Sequence, residues 1–351
     1  MEFQATIKKK EKTVDKVTTI GLDLAKTVFH VVGTNRHGKV IRKRMLKRSQ
    51  VLMYFARHPA CLVGMEACAG AHYWARELSV FGHKVKLIPP QYVKPYVQGN
   101  KNDYNDALAI AEAVVRPQMR FVSVKNTAQQ DVQALHRLRE RCLGDRTALC
   151  NQLRGLLAEY GLVFPRGIHR LRRSLPALLE DADNGLSDLF RRILAQGYQQ
   201  LQDLDGHIED YTQELKRQSQ QDDACQRLQT IPGFGPIVAS VFHSVVGSGQ
   251  GYRRGRDVSA SVGLVPRQHS SGGKEVLLGI SKRGDRYLRS LLIHGARSVV
   301  IQAKAKEDRL SRWINQLVST RGFNKAVVAL ANKMARIGWV ILAKKTTYQA
   351  T

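Results

Sequence analysis

The chain has 351 residues, with 56 Lys and Arg against 29 Asp and Glu, a formal net charge of +27. That length can bury more than one core, and a cationic excess of this size repels itself unless a polyanion neutralises it, which puts nucleic acid first among partners. Five cysteines, odd in number and never in a C-x-x-C pair, argue against a disulfide framework and a zinc knuckle and fit a reducing cytoplasm.

In chain order, residues 1–16, "MEFQATIKKKEKTVDK", are charged and lack an apolar core, so they read as a disordered basic leader and not a signal peptide. From Val17 to about Val124 the pattern is α/β. "VTTIGLD", "TVFHVVG" and "GKVIRKRML" predict three strands of an antiparallel meander. "ACLVGME" and "HKVKLI", with the helical "YWARELSVF" between them, add a βαβ unit and make the sheet mixed.

From about Asp131 the period becomes helical. Leu135, Cys142, Leu149 and Leu156 recur every seven residues, with Val132, Leu138, Leu153 and Tyr160 expected on the same side. Gly197, Leu201, Leu204, Ile208, Tyr211 and Leu215 step by 4, 3, 4, 3, 4, the spacing of a coiled-coil seam. "FPRGIHRLRRS" between the two runs reads as a basic turn. The pair makes either an arm or dimerisation device, or two ordinary bundle helices. "RQSQQDDA" then reads as a linker, and a third, mainly helical region begins near Cys225. Its apolar stretch "AVVALANKMARIGWVILA", broken by Lys333 and Arg336, reads as a buried helix and not a membrane span.

Asp23 and Glu66 each close an apolar strand, where ligands bind in open α/β sheets. Each also has a structural reading: Asp23 paired with Lys26, Glu66 capping the next helix. Asp103 and Asp106 open the helix "DYNDALAIAEAV", where an Asp cap followed three residues on by an acid resembles a capping box. Four carboxylates gathered at one sheet edge repel, and divalent metal is the usual remedy. Gly233 and Gly235 in "TIPGFGP" precede a helix whose amides can meet a phosphate, or simply punctuate a turn. Ser270 and Ser271 stand before a Gly pair typical of a hairpin turn, with Arg267, Lys274, Lys282 and Arg283 as nearby phosphate-binding candidates.

"GLDLAK", "GMEACAG", "KNDYNDA", "TIPGFGP" and "GLVPRQHSSGG", in this order, resemble the "one-ten" insertion-sequence transposases, which are relatives of Piv-type DNA invertases and are themselves described as bridge-RNA-guided recombinases. The resemblance spans the chain after the leader. It implies an RNase H-like (resolvase-like) mixed-sheet domain over 17–125, a coiled-coil segment over 126–221 and a mainly helical transposase domain over 222–351. It places a D-E-D-D metal site on Asp23, Glu66, Asp103 and Asp106 and a serine nucleophile on Ser271, with Ser270 adjoining. Asn102 stands where the family usually has Thr, and both residues cap helices. Mg²⁺ or Mn²⁺ would serve as cofactor. The implied partners are element-junction and target DNA, a structured guide RNA, and further copies of the chain in a dimer or tetramer joined through the coiled coil. A bacterial or archaeal cytoplasmic setting at the nucleoid follows, with no membrane. Two other readings remain open: a metal-dependent structure-selective nuclease without serine chemistry, and a non-catalytic nucleic-acid-binding protein.

Overall fold

The computed structural model describes residues 16–100 and 102–350. The basic leader lies outside them except for Lys16, which is exposed. The chain divides at Asn126 and Thr127 into two compact units.

The first unit is built on a five-stranded mixed sheet. β1 (Thr19–Asp23), β2 (Val28–Thr34) and β3 (Val40–Lys47) form the antiparallel meander. Short connections permit only antiparallel neighbours, whereas a parallel return needs a crossover long enough to hold a helix. After α1 (Val51–Arg57), β4 (Leu62–Glu66) accordingly lies parallel to β1. Following α2 (Ala71–Val80), β5 (Lys84–Ile88) lies parallel to β4, giving the order β3-β2-β1-β4-β5. Next come α3 (Pro90–Val93) and α4 (Asp103–Val114).

Strand alternation sorts the side chains into two layers. Ile20 and Leu22 of β1, Phe29 and Val31 of β2, and Val63 and Met65 of β4 pack with Phe55 of α1 and with Trp74 and Leu78 of α2. The intervening positions face α4, whose Ala109, Ile110, Ala113 and Val114 form a smaller core with Ile88 and Val93.

The second unit is helical except for one hairpin. α5 (Thr127–Ala158) and α7 (Asp188–Gln221) pack along each other in antiparallel fashion, with α6 (Ile168–Glu180) between them in sequence. α8 (Asp223–Gln229), α9 (Pro236–Val246) and α10 (Gly255–Ser261) precede the hairpin of β6 (Pro266–Ser271) and β7 (Lys274–Ile280). α11 (Arg286–Gln302), α12 (Arg309–Arg321) and α13 (Phe323–Lys344) complete the unit. Among the described residues, α13 is the one helix long and apolar enough to cross a membrane. It spends its apolar row on the core, burying Ala326, Val327, Leu330, Ala331, Met334, Ala335, Gly338, Ile341 and Leu342.

Several local expectations change. The basic turn "FPRGIHRLRRS" contains the start of α6, because Ile168, Leu171, Leu175, Leu178 and Leu179 recur at helical spacing and join a common core with Phe190 and Leu194 of α7. The polar "RQSQQDDA" is no loop: α7 runs through Gln221, and the Asp222 side chain caps α8 by accepting the Cys225 amide at 3.0 Å. The seam on α5 is also displaced by one position, except at Leu153, which is buried as expected. Leu135, Cys142 and Leu149 are only half-buried, and Leu138, Leu156 and Tyr160 are exposed. The buried row is His136, Cys150, Leu153 and Leu157.

Polar contacts accompany that displacement, with the His136 ring nitrogens 2.9 Å from Ser240 Oγ and 3.2 Å from Tyr287 Oη. Arg139 Nε donates to Thr212 Oγ1 at 2.7 Å, and Arg146 Nη1 donates to Asp205 Oδ1 at 2.8 Å. Arg172 of α6 meets the second oxygen of Asp205. On α7 the burial follows the expected row, with Gly197, Leu201, Ile208 and Leu215 buried and Leu204 and Tyr211 half-buried. Gly197 is held against Leu153, where a Cβ would approach Leu153 Cδ2 to 2.7 Å. The apolar row of α7 is thus covered by α5 of the same chain.

Candidate active site

The acids come together because two strands carry glycine two residues before a carboxylate. In "GLD" and "GME", Gly21 shares a sheet face with Asp23, and Gly64 shares it with Glu66. A Cβ on Gly21 would lie 1.9 Å from Ala107 O, and one on Gly64 would lie 2.8 Å from Val114 Cβ. Hydrogen at these positions lets α4 settle directly onto β1 and β4. Its first turn then overhangs the C-terminal ends of both strands.

Asp103 is not the cap of that helix. Asn102 is, in extended backbone with φ −153°, and its Oδ1 accepts the Tyr104 amide at 2.9 Å. Asp103 and Asp106 occupy the first turn, where the helix dipole favours negative charge. Carboxylate oxygens of Asp23, Asp103 and Asp106 all lie within 4.8 Å of one another. Glu66 stands outside that trio but within its field.

Burial, followed by Asp106 and Asp103, pushes the Asp23 carboxyl above its ordinary range, against an opposing pull from His30 and the Leu24 amide. Burial, then Asp23 and Asp106, pushes Glu66 the same way. Lys26 is exposed and makes no ion pair with Asp23 among the described residues, and α2 is capped by Gly70, so neither structural reading of the strand-end acids holds.

His30 belongs to the same cluster. It lies opposite Asp23 in the β1–β2 register, with Nδ1 3.5 Å from Asp103 Oδ2 and its ring edge-on to Tyr104 at 4.8 Å between centroids. The Nδ1 atom is shielded from solvent and has no hydrogen-bond partner. A donor set made of carboxylate oxygens, with charge left uncompensated, suits a hard divalent cation.

Ser271 lies in the second unit at the end of β6, and the two-residue turn Gly272–Gly273 follows it with φ +57° and +77°. Two successive positive φ values define the hairpin turn that matches strand twist and favours glycine. Every residue of β6 is exposed. Ser271 pairs with Lys274 across the hairpin, while Ser270 pairs with Glu275. Ser270 Oγ accepts a hydrogen bond from Gln268 Nε2 at 2.8 Å. Arg267, Lys282 and Arg283 are exposed at the hairpin and its base, with Lys282 at φ +54°. Buried Arg289 of α11 clamps that base, donating to Val262 O at 2.9 Å and Arg283 O at 2.8 Å. Gly233, with φ +89°, forms the turn after α8, and Gly235 is the N-cap of α9.

A DEDD transposase profile of IS110 type matches residues 20–162, which include the four acids. The profile described as transposase IS116/IS110/IS902 family matches residues 225–311, which include the hairpin. Over 342 residues the chain is 48% identical to the transposase for insertion sequence element IS1111A of Coxiella burnetii, covering 97% of this chain and 94% of that protein. The chain belongs to the IS110 family of transposases. It is also 43% identical over 332 residues to the transposase for insertion sequence element IS1328 of Yersinia enterocolitica, covering 95% of this chain and 98% of that one.

As an IS110 family transposase, the protein binds DNA and catalyses strand cleavage and transfer, and over residues 20–162 it matches a DEDD family that is generally divalent-metal dependent. Three features of this transposase escape a reading of its sequence. Gly21 and Gly64 carry no chemistry of their own, but glycine two residues before a strand-end acid, occurring twice, was a usable signal. His30 becomes visible once the first hairpin is registered. Arg289 has no signal, because nothing local distinguishes a buried arginine within α11.

Proposed function

We propose that this transposase is a site-specific recombinase in which Ser271 attacks the scissile DNA phosphate while Asp23, Glu66, Asp103 and Asp106 hold Mg²⁺ or Mn²⁺ against that phosphate. The convergence of Asp23, Asp103 and Asp106 carries the metal half of this reading. The residues fit such an ion: their donors are oxygens, they crowd one another, and two of the four acids are pushed toward neutrality without it. When bound, the ion would neutralise charge on the phosphate oxygens.

Cross-strand pairing supports Ser271 over Ser270. The Ser271 side of the hairpin carries Lys274, which attracts a phosphate, whereas the Ser270 side carries Glu275, which repels it. In the reaction a bond forms from Ser271 Oγ to phosphorus as the bond from phosphorus to one deoxyribose oxygen breaks. The serine hydroxyl loses its proton and the departing oxygen gains one. The phosphodiester energy is kept in the protein–DNA linkage, so rejoining needs no nucleotide cofactor.

The charge of +27 exceeds what a single catalytic phosphate requires and is consistent with a structured guide RNA held by its backbone beside the DNA, with base pairing supplying specificity. Acids and serine are carried on separate units of the chain, which favours assembly of more than one copy around the DNA. Because the apolar row of α7 is covered within the chain, such an assembly uses other faces of α5 and α7. The bacterial cytoplasm is the expected setting.

The test is to incubate the protein with Mg²⁺, guide RNA and labelled junction and target DNA and to search for a denaturation-resistant protein–DNA adduct. Wild type and Ser270→Ala form it; Ser271→Ala and Asp106→Asn do not. Cleavage by Ser271→Ala at the wild-type rate, with no adduct in either protein, would replace this mechanism by metal-dependent hydrolysis.

A further inference from the structure

A concave surface lies in the second unit, and no residue of the hairpin strands lines it. It is a cleft of about 640 Å³ between α10, α12 and α13, within the size range of small-ligand sites. Four cations and two indoles line it: Arg254, Arg256, Lys333 and Arg336, with Trp313 and Trp339. Arg254 has Asp257 at 3.6 Å, whereas among the described residues Arg256, Lys333 and Arg336 have no carboxylate in salt-bridge range.

Both indoles are fixed. Each packs on the C-terminal core along one side and borders the cleft along another. Trp339 Nε1 donates to Gly249 O at 3.0 Å, which pins its orientation, and Lys333 Nζ stands 4.6 Å from the centre of the Trp313 ring. Packed aromatic planes beside cations, three of them without a carboxylate in range, match a ligand that offers a flat π-face and negative charge together. A duplex keeps its base faces stacked inside and offers only phosphates. A nucleotide out of the stack offers both.

We propose that this cleft binds an unstacked nucleotide of single-stranded nucleic acid, its phosphates held by Arg254, Arg256, Lys333 and Arg336 and its base stacked on Trp313 or Trp339. Where the two strands of a duplex are cut at staggered positions, transfer exposes single-stranded segments, and a site that holds one leaves the cut end close to the protein. The proposal is independent of the serine and of the metal.

The experiment therefore uses the full chain carrying Ser271→Ala, in EDTA, with intrinsic tryptophan emission as readout. Two of the three tryptophans line the cleft, and the third, Trp74, is buried in the other unit. Twelve-nucleotide dT and rU strands and a twelve-base-pair duplex are the probes. A single strand quenches the emission saturably, and the duplex binds without comparable quenching. Lys333→Gln with Arg336→Gln moves the quenching midpoint to about tenfold higher concentration at unchanged melting temperature. Trp313→Phe and Trp339→Phe identify the stacking ring by which one removes most of the quench, and the dT and rU arms report which sugar is accepted. Absence of quenching, equal quenching by the duplex, or a midpoint unmoved in the double variant would overturn the proposal.

Discussion

Gly21 of β1 and Ala107 of α4 meet backbone to backbone: a Cβ on Gly21 would stand 1.9 Å from the Ala107 carbonyl oxygen. This approach sets the height of α4 above the sheet and so the distance from Asp106 to Asp23. Gly21→Ala is expected to push the helix away, costing about 3 kcal/mol by overpacking and abolishing metal-dependent cleavage. Urea unfolding and a cleavage assay on the same preparation check it; wild-type activity in a stably folded Gly21→Ala protein would show that the helix position is not critical.

The crowded acids also set a pH dependence. Unfolded, Asp23 and Glu66 titrate near their ordinary values of 3.8 and 4.5; folded, both are raised. The folded protein therefore binds more protons in the window above those values, and stability present below them is lost as pH rises through the folded pKa. Asp23→Asn should melt a few degrees higher than wild type at neutral pH in EDTA while losing cleavage. Adding Mg²⁺ should narrow that gap by stabilising wild type alone, and cleavage should fail on the acidic side as protons displace the ion. Melting curves across pH 5 to 8, with and without metal, read both effects.

The Gly272–Gly273 turn holds Ser271 opposite Lys274. Placing alanine at both glycines forces two L-residues into positive φ, at a cost of about 1 kcal/mol each. The hairpin is exposed except at Ile280, so melting of the second unit should hardly change while adduct formation falls at least tenfold. An unchanged adduct yield would mean that Ser271 needs no preset orientation.

Asp205 joins α7 to Arg146 of α5 and Arg172 of α6. Asp205→Ala leaves two half-buried guanidinium groups without their carboxylate, and a loss of about 1–3 kcal/mol is expected. Restoring the pairs with Asp205→Glu should recover part of it. Thermal unfolding of the two variants, measured at low and high salt, separates this from an ordinary surface pair, which would contribute under about 1 kcal/mol.

The order of strands and helices was legible from local patterns. β-branched runs with short links made the meander, the crossover with its helix made β4 parallel, and the row from Gly197 to Leu215 marked the buried side of α7. These follow from steric preference and periodicity, properties that each segment carries with it. Partner-dependent features were not legible. On α5 the apolar spacing pointed to Leu135, Cys142, Leu149 and Leu156, yet the buried row is His136, Cys150, Leu153 and Leu157, on the side where His136 meets Ser240 and Tyr287 and where Arg139 and Arg146 meet α7. Asp103 looked like a helix cap until Asn102 took that role. Only the tertiary structure decided that Asp23, Asp103, Asp106 and His30 share one corner, because strand parity puts Asp23 and His30 on the face that α4 covers and two side-chain-free glycines let that helix bring Asp103 and Asp106 close enough for the charges to feel one another.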